Sequence, residues 1–212
     1  MTQELLTGSA TGTITGYRGR GINTNPPPSS RGSVEAVIAR VFARNLLTCP
    51  GTEKERWRES LTKYLVRAHK SDACIDELLS FCTTQGGPEG LDMAIDVLSG
   101  TGDLVLKYFW EYLQRDVVNW TPQCDRAYKP NDDYWYILLR AVARADAPEM
   151  DKLRHIVCCA GAESRGIREG VVEALRDLRT ERAKELLRQF LDSDNDSYIR
   201  QVAKEAIDDL ES

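Results

Sequence analysis

Residues 163–212 read ESRGIREGVVEALRDLRTERAKELLRQFLDSDNDSYIRQVAKEAIDDLES, and one pattern occurs twice within them. Ile167 and Arg168 lead into EGVVEAL, and Ile199 and Arg200 lead into QVAKEAI. The two copies lie 32 residues apart, each after a polar turn. In both, apolar residues recur at the three- and four-residue spacing of an amphipathic helix. The stretch therefore predicts a helical hairpin that belongs to a repeat.

The same helical spacing extends back along the chain to Ser33. It predicts ten helices and no strand, with successive hairpins beginning near residues 33, 72, 103, 149 and 181. Two steps between these starts are 31 and 32 residues, and the step of 46 contains an extra segment at 114–132. Because one hairpin cannot bury its apolar face alone, the sequence predicts an all-α fold, an α-solenoid of about five stacked antiparallel hairpins. In the last hairpin we expect four residues to be buried: Leu187, Phe190, Val202 and Ile207.

The first 32 residues differ in composition from the rest. They are rich in Gly, Thr, Ser and Pro and include NPPPSS, through which no helix continues. We expect a flexible arm at 1–32, followed by one helical-repeat domain at 33–212. The single GYRGRG at 16–21 is similar to part of an arginine–glycine RNA-binding tract, although a solvated linker is the simpler interpretation. The chain shows neither a secretory signal nor a membrane-spanning run, so we expect a soluble, cytoplasmic protein.

Charge is distributed unevenly along the chain. The net charge is −5, yet residues 1–70 hold 11 Lys and Arg against 5 Asp and Glu, and residues 71–212 hold 17 against 28. On the second predicted helix, Arg56, Lys63 and Arg67 recur at near-helical spacing. They are either a docking patch for an acidic partner or nucleic acid, or a solvated helix face. The acidic remainder disfavours broad nucleic-acid binding.

No motif for catalysis is present in the sequence. It lacks a nucleophile elbow, a phosphate-binding loop, a dinucleotide fingerprint and the HExxH zinc motif. His69 and His155 are isolated, and a pairing of His155 with Cys158 or Cys159 on one helix lacks a third, orienting group. The six cysteines contain no CxxC pair, and we expect reduced thiols. The sequence predicts no enzyme, no metal site and no cofactor.

The extra segment at 114–132 contains the strongest candidates for partner binding. Trp120 and Tyr128 lie among polar residues there, together with Arg126, and long loops are often functional. Trp and Tyr are also the residue types most enriched at interface hot spots. One interpretation is a projecting binding element, and the other is a lid that packs on its own helices. The predicted partner-binding residues are Trp120, Arg126, Tyr128, Arg56, Lys63 and Arg67.

Two stretches resemble a known repeat family. SDNDSYIRQVAKEAIDDL, at 193–210, is similar to the second half of a HEAT repeat, especially the short bacterial form in phycobilisome lyase-type repeats. AGAESRGIREGVVEALRDL, at 160–178, is similar in the same way, and the resemblance is clearest over 149–212. It implies that a turn acid and a helix arginine link neighbouring hairpins: Asp196 with Arg200, and Glu163 with Arg168.

The resemblance also implies a function. HEAT-like solenoids offer large, preorganised surfaces, so we expect a non-catalytic protein-binding module: an adaptor, regulator or inhibitor-like subunit with another protein as its partner. One alternative is a nucleic-acid-binding protein, because HEAT-like DNA glycosylases use cationic and aromatic clefts on this architecture. The other is a lyase-like chaperone for a prosthetic group. Fold alone does not decide among them.

Overall fold

A computed structural model describes residues 33–119 and 132–212. Within these residues the chain forms ten α-helices and no strand, which confirms the predicted all-α fold. The hairpins begin within one residue of the predicted starts. The helices are α1 (Val34–Thr48), α2 (Gly51–Arg67), α3 (Ser71–Gln85), α4 (Gly87–Ser99), α5 (Asp103–Asn119), α6 (Asp132–Arg144), α7 (Glu149–Val157), α8 (Arg165–Leu178), α9 (Glu181–Ser193) and α10 (Ser197–Glu211).

Polar caps fix where several of these helices begin. The side chain of Ser33 accepts the main-chain N–H of Ala36 at 3.0 Å at the start of α1. Thr180 and Asp196 cap α9 and α10 in the same way. Each cap satisfies an N–H group that has no partner within its helix. Polar residues in the turns therefore fix where these helices begin.

The first two hairpins stack chiefly through their first helices, α1 and α3, whereas the later hairpins stack chiefly through their second helices. α2, α4, α6, α8 and α10 pack in succession and form one layer of the solenoid. The most extensive packing in this layer is between α6 and α8, where Gly170 faces the backbone of Tyr136. A Cβ at Gly170 would lie 3.1 Å from the Tyr136 Cα. The absence of a side chain at this position therefore allows the two helices to approach closely.

The middle hairpin is held by aromatic packing. The ring of Trp135 on α6 makes edge contacts with Phe109 and Tyr112 on α5, at centroid distances of 5.4 and 5.2 Å. Arg115, which lies on α5 three residues after Tyr112, donates to Asp76 on α3 at 2.9 Å. The aromatic rings and this ion pair fix α5 to its neighbours, where a regular repeat would use smaller aliphatic residues.

The expected burial in the last hairpin is only partly correct. Leu187 and Ile207 are buried, whereas Phe190 and Val202 remain half-exposed. Phe190 shares a groove with Val157, the last residue of α7, because α7 has nine residues and does not cover the end of α9. Val202 lies on α10, beyond which no further described helix packs.

The links between turn and helix also differ from those that the resemblance implied. Arg168 Nε donates to Asp194 Oδ2 at 2.9 Å, and this pair joins the fourth hairpin to the fifth. Glu163 takes part through its main-chain carbonyl, which accepts from Arg168 at 2.8 Å. Asp196 caps α10, and Arg200 donates to the Asp194 carbonyl at 2.7 Å. Both arginines therefore contact Asp194: Arg168 binds its carboxylate, and Arg200 binds its main-chain carbonyl.

Two predicted segments fall largely outside the described residues. α5 continues to Asn119 and α6 begins at Asp132, so the first six residues of the predicted segment at 114–132 are helical. The rest of that segment and the arm at 1–32 lie beyond the part of the chain that the structure describes. Among the described helices, none is long and apolar enough to cross a membrane.

Candidate protein-binding surface

A chain of alternating charges crosses the layer of second helices. Arg58 on α2 and Arg144 on α6 both donate to Asp96 on α4, each at 3.3 Å. Arg144 also donates to Asp177 on α8 at 3.1 Å, and Arg140 Nε donates to the same carboxylate at 2.7 Å. We call these five residues the ion-pair ladder. Each acid bridges two arginines, so the ladder connects four successive hairpins.

The two ends of the ladder differ in burial. The side chains of Arg140 and Asp177 are 13% and 14% exposed, whereas those of Arg58 and Asp96 are 39% and 41% exposed. Burial acts to lower the pKa of the Arg140 guanidinium, but hydrogen bonding and charge attraction from Asp177 outweigh it and raise that pKa above its usual range. The buried end therefore holds α6 against α8, and its arginine is not accessible to a partner.

A groove of about 700 Å³ lies beside α2, at the exposed end of the ladder. Thr62 marks where α2 contacts α4: its hydroxyl donates to the Val97 carbonyl at 3.3 Å, and Gly100 leaves room for its methyl group. The groove is also lined by Val66, which is 55% exposed. We call this surface the α2 groove. Its lining residues are Glu55, Arg58, Glu59, Thr62, Lys63, Val66, Arg67, Asp96, Ser99, Gly100, Arg144 and Asp146.

Two of the predicted partner-binding residues line this groove. Lys63 and Arg67 are both exposed on its α2 side. Lys63 pairs with Glu59 at 3.0 Å, but more than half of each side chain is exposed, so this pair contributes little to stability. Arg56 is exposed on the same helix and does not line the groove.

The other predicted residues lie outside the described part of the chain. Trp120, Arg126 and Tyr128 fall within 120–131. Their role in binding stays a prediction.

Sequence reasoning missed the ion-pair ladder. Its members are oppositely charged residues about one repeat apart: Arg58 and Asp96 are separated by 38 positions, and Arg140 and Asp177 by 37. A search for opposite charges at the repeat spacing would have found them, because stacked hairpins bring equivalent positions together.

A second groove, of about 500 Å³, was also missed. It lies between α7 and α9, and most of its described side chains are apolar, including Val157, Leu175, Leu186 and Phe190. In the sequence, the helical spacing of apolar residues ends early, after α7, and this early end could have indicated the groove. Apolar side chains that line a groove provide a place for an apolar group of a ligand.

The described residues offer no site for a metal ion, since no group of three or more His, Cys, Asp and Glu occurs among them. His155 is buried, and its Nδ1 lies 2.5 Å from the Asp151 carbonyl. Its ring packs against Phe109 and Trp110, with centroid distances of 5.2 and 4.8 Å. The histidine therefore occupies a packed position between helices.

Comparison with known proteins gives one match. Residues 124–208 match the family model described as HEAT repeats. The matched region contains α6 to α9 and most of α10, and it confirms the resemblance seen in the sequence. No curated protein and no solved structure matches the chain.

Proposed function

Because residues 124–208 match the HEAT-repeat family model, we propose that this chain is a non-catalytic protein-binding module, an adaptor or regulator that binds an acidic segment of another protein in the α2 groove. HEAT repeats commonly mediate protein–protein interaction. The observation that carries the proposal is the exposure of Lys63, Arg67 and Val66 together along one groove.

Charge favours an acidic partner. From Ser60 to Lys70 the chain has cations and no Asp or Glu, and both Lys63 and Arg67 are exposed there. The arginines of the ladder are already paired with Asp96 and Asp177. They therefore offer less positive charge to a partner than Lys63 and Arg67 do. A partner carboxylate beside Lys63 and Arg67 gains a charge-assisted contact and speeds association.

Val66 adds an apolar contact to this charge. It lies one position before Arg67 and is 55% exposed in the groove. Burial of such a side chain contributes in proportion to the apolar area that leaves water. The partner segment should therefore combine carboxylates with an apolar side chain.

The same charges disfavour nucleic acid. The net charge of the chain is −5, and the stretch from Ser60 to Lys70, with its cations and no Asp or Glu, covers only the end of α2 and the turn after it. A phosphate backbone needs a longer track of cations than this surface offers. The segment around Trp120 and Tyr128 is proposed as a second contact with the same partner, which its aromatic composition supports.

Charge reversal in the groove tests the proposal. Tagged full-length chain with Lys63→Glu and Arg67→Glu should lose proteins that the wild type captures from its native host. Two matched controls, Arg56→Glu on the same helix and Lys204→Glu on α10, should retain them. A partner so identified should bind the double variant at least 2 kcal/mol more weakly, roughly a 30-fold change in Kd. Equal capture by the double variant, with unchanged circular dichroism, would refute the proposal.

Cross-linking locates the contact independently. A photo-crosslinking phenylalanine derivative in place of Val66 should attach to the partner, and the same residue in place of the exposed Gln201 should not. The cross-linked partner peptide should contain Asp or Glu within a few residues of the attachment point. Attachment from position 201 alone would place the interface elsewhere on the solenoid.

A further inference from the structure

Two adjacent cysteines follow α7 in the turn before α8. Cys158 is exposed, and Cys159 is 6% exposed. Their Sγ atoms lie 3.8 Å apart, so both sulfurs face the same side of the turn. The Cys158 thiol donates to the His155 carbonyl at 2.9 Å, which leaves its sulfur able to accept from the Cys159 thiol.

Cys158 differs from the cysteines of the core. Cys74 and Cys82 are fully buried, and desolvation raises the pKa of the Cys74 thiol to about 11 and that of the Cys82 thiol to about 12. For Cys158, the hydrogen bond from Cys159 lowers the thiol pKa, and this effect outweighs desolvation. The thiolate is the nucleophile and metal ligand, so the exposed Cys158 is the more reactive thiol.

The position of the pair disfavours a disulfide between the two cysteines. Neighbouring Cα atoms across a trans peptide lie about 3.8 Å apart, and the described residues contain no cis peptide. A relaxed disulfide needs a Cα separation of about 4.4–6.8 Å. A single atom placed between the two sulfurs removes this constraint, because the sulfurs need not approach bonding distance.

The number of nearby ligands restricts what that atom can be. Structural zinc takes four protein ligands, and the described residues hold no cluster of three or more His, Cys, Asp and Glu. A soft centre that forms two bonds to thiolates and carries its own third substituent fits two cysteines alone. Trivalent arsenic with one organic group has this valence.

The residues on either side of the pair line a groove, although the two cysteines themselves do not. Val157 and Ala160 flank the two cysteines in sequence, and both line the groove between α7 and α9. We propose that Cys158 and Cys159 form a dithiol site that chelates a monosubstituted trivalent arsenical, whose organic group lies against this groove. The site is separate from the α2 groove and does not depend on the proposed function.

The binding reaction balances without an oxidant. With phenylarsine oxide, two As–S bonds form while the bonds from arsenic to oxygen break. The two thiol protons leave with that oxygen as one water, and the oxidation state of arsenic stays unchanged. Cys158 reacts first because it is exposed, and Cys159, whose Sγ lies 3.8 Å from that of Cys158, then closes the ring.

Intact mass spectrometry of the reduced full-length chain tests the site. One equivalent of phenylarsine oxide should add one phenylarsenic group with loss of one water, and thiol titration should fall by two. The adduct should survive 2-mercaptoethanol, whereas Cys158→Ser and Cys159→Ser should release it at monothiol concentrations on the order of 100-fold lower, since each leaves a single As–S bond.

Two control variants identify the thiols. Cys49→Ser removes a half-exposed thiol elsewhere, and Cys124→Ser removes the cysteine outside the described residues; both should keep the wild-type adduct. The proposal would be overturned if Cys158→Ser held the adduct against 2-mercaptoethanol as well as the wild type does. It would also be overturned if Cys124→Ser lost the adduct, or if the wild-type adduct consumed only one thiol. Cys158 is exposed, so its variant should fold, and circular dichroism checks this. If Cys159→Ser does not fold, Cys158→Ser and the thiol count decide the outcome.

Discussion

Removal of the Asp177 carboxylate should loosen the joint between α6 and α8. Asp177 accepts from Arg140 at 2.7 and 3.1 Å and from Arg144 at 3.1 and 3.2 Å. In Asp177→Asn the guanidinium group of Arg140 loses its paired carboxylate, and that of Arg144 keeps only Asp96. Arg140 is only 13% exposed, and the acceptors left to it there, the Tyr136 hydroxyl at 3.0 Å and the new amide oxygen at position 177, are neutral, so water cannot fully replace the lost charge.

The expected destabilisation follows from this burial. Breaking a buried ion pair by removing one partner destabilises a protein by about 3–5 kcal/mol. The lower end applies here because the side chain of Arg144 is 34% exposed and keeps its contact with Asp96. For a chain of this size, a loss of about 3 kcal/mol lowers the melting temperature by roughly 6–12 °C.

Thermal unfolding followed by circular dichroism measures the effect. Asp208→Asn, at an exposed position on α10, is the matched control and should change the melting temperature by less than about 2 °C. The double variant Arg140→Met with Asp177→Asn should recover most of the melting temperature that Asp177→Asn loses, because the double variant also removes the buried cation. A single Asp177→Asn variant as stable as the control would refute the inference that this end of the ladder is structural.

Three further variants and one chemical probe test the packing and the thiols. Leu187→Ala should destabilise the protein by about 3 kcal/mol, and Phe190→Ala by no more than about 2 kcal/mol, because Phe190 is half-exposed; urea unfolding compares them. Gly86→Ala should lose about 1–3 kcal/mol in the same assay, since its Cβ would lie 2.7 Å from the Cys82 carbonyl oxygen; an unchanged midpoint would contradict the close contact. Near neutral pH, iodoacetamide should label Cys158 before Cys82, because a lowered pKa gives more thiolate at a given pH and a pKa of about 12 gives almost none; peptide mass spectrometry reads the order, and early labelling of Cys82 would refute it.

Much of the fold could be predicted from the sequence because the relevant physics is local. The apolar spacing and the polar turns determine each helix over four to fifteen residues, and caps such as Ser33 and Thr180 mark the starts. The repeat step then follows from similar hairpins that need neighbours to bury their apolar faces. The HEAT resemblance of the closing residues rests on these same local features.

The candidate site could be predicted only in part. Lys63 and Arg67 were found because they lie on one helix face, and a helix face is visible in the sequence spacing. Whether an arginine is accessible or already paired is not visible there. Arg140 and Lys63 are both cations on second helices, yet one is held by an acid 37 positions away and the other lies in an exposed groove.

The sequence by itself determined ten amphipathic helices, their pairing into hairpins and the resemblance of the closing repeats to HEAT repeats. Only the tertiary structure decided which arginines are paired in the ion-pair ladder, why Phe190 stays half-exposed and which residues line the α2 groove. The physical reason is the separation along the chain of the residues that interact. Helix formation depends on residues three and four apart, whereas burial and ion pairing depend on how far neighbouring hairpins overlap. That overlap is set by differences in helix length, such as the nine residues of α7, and by close contacts such as the one at Gly170.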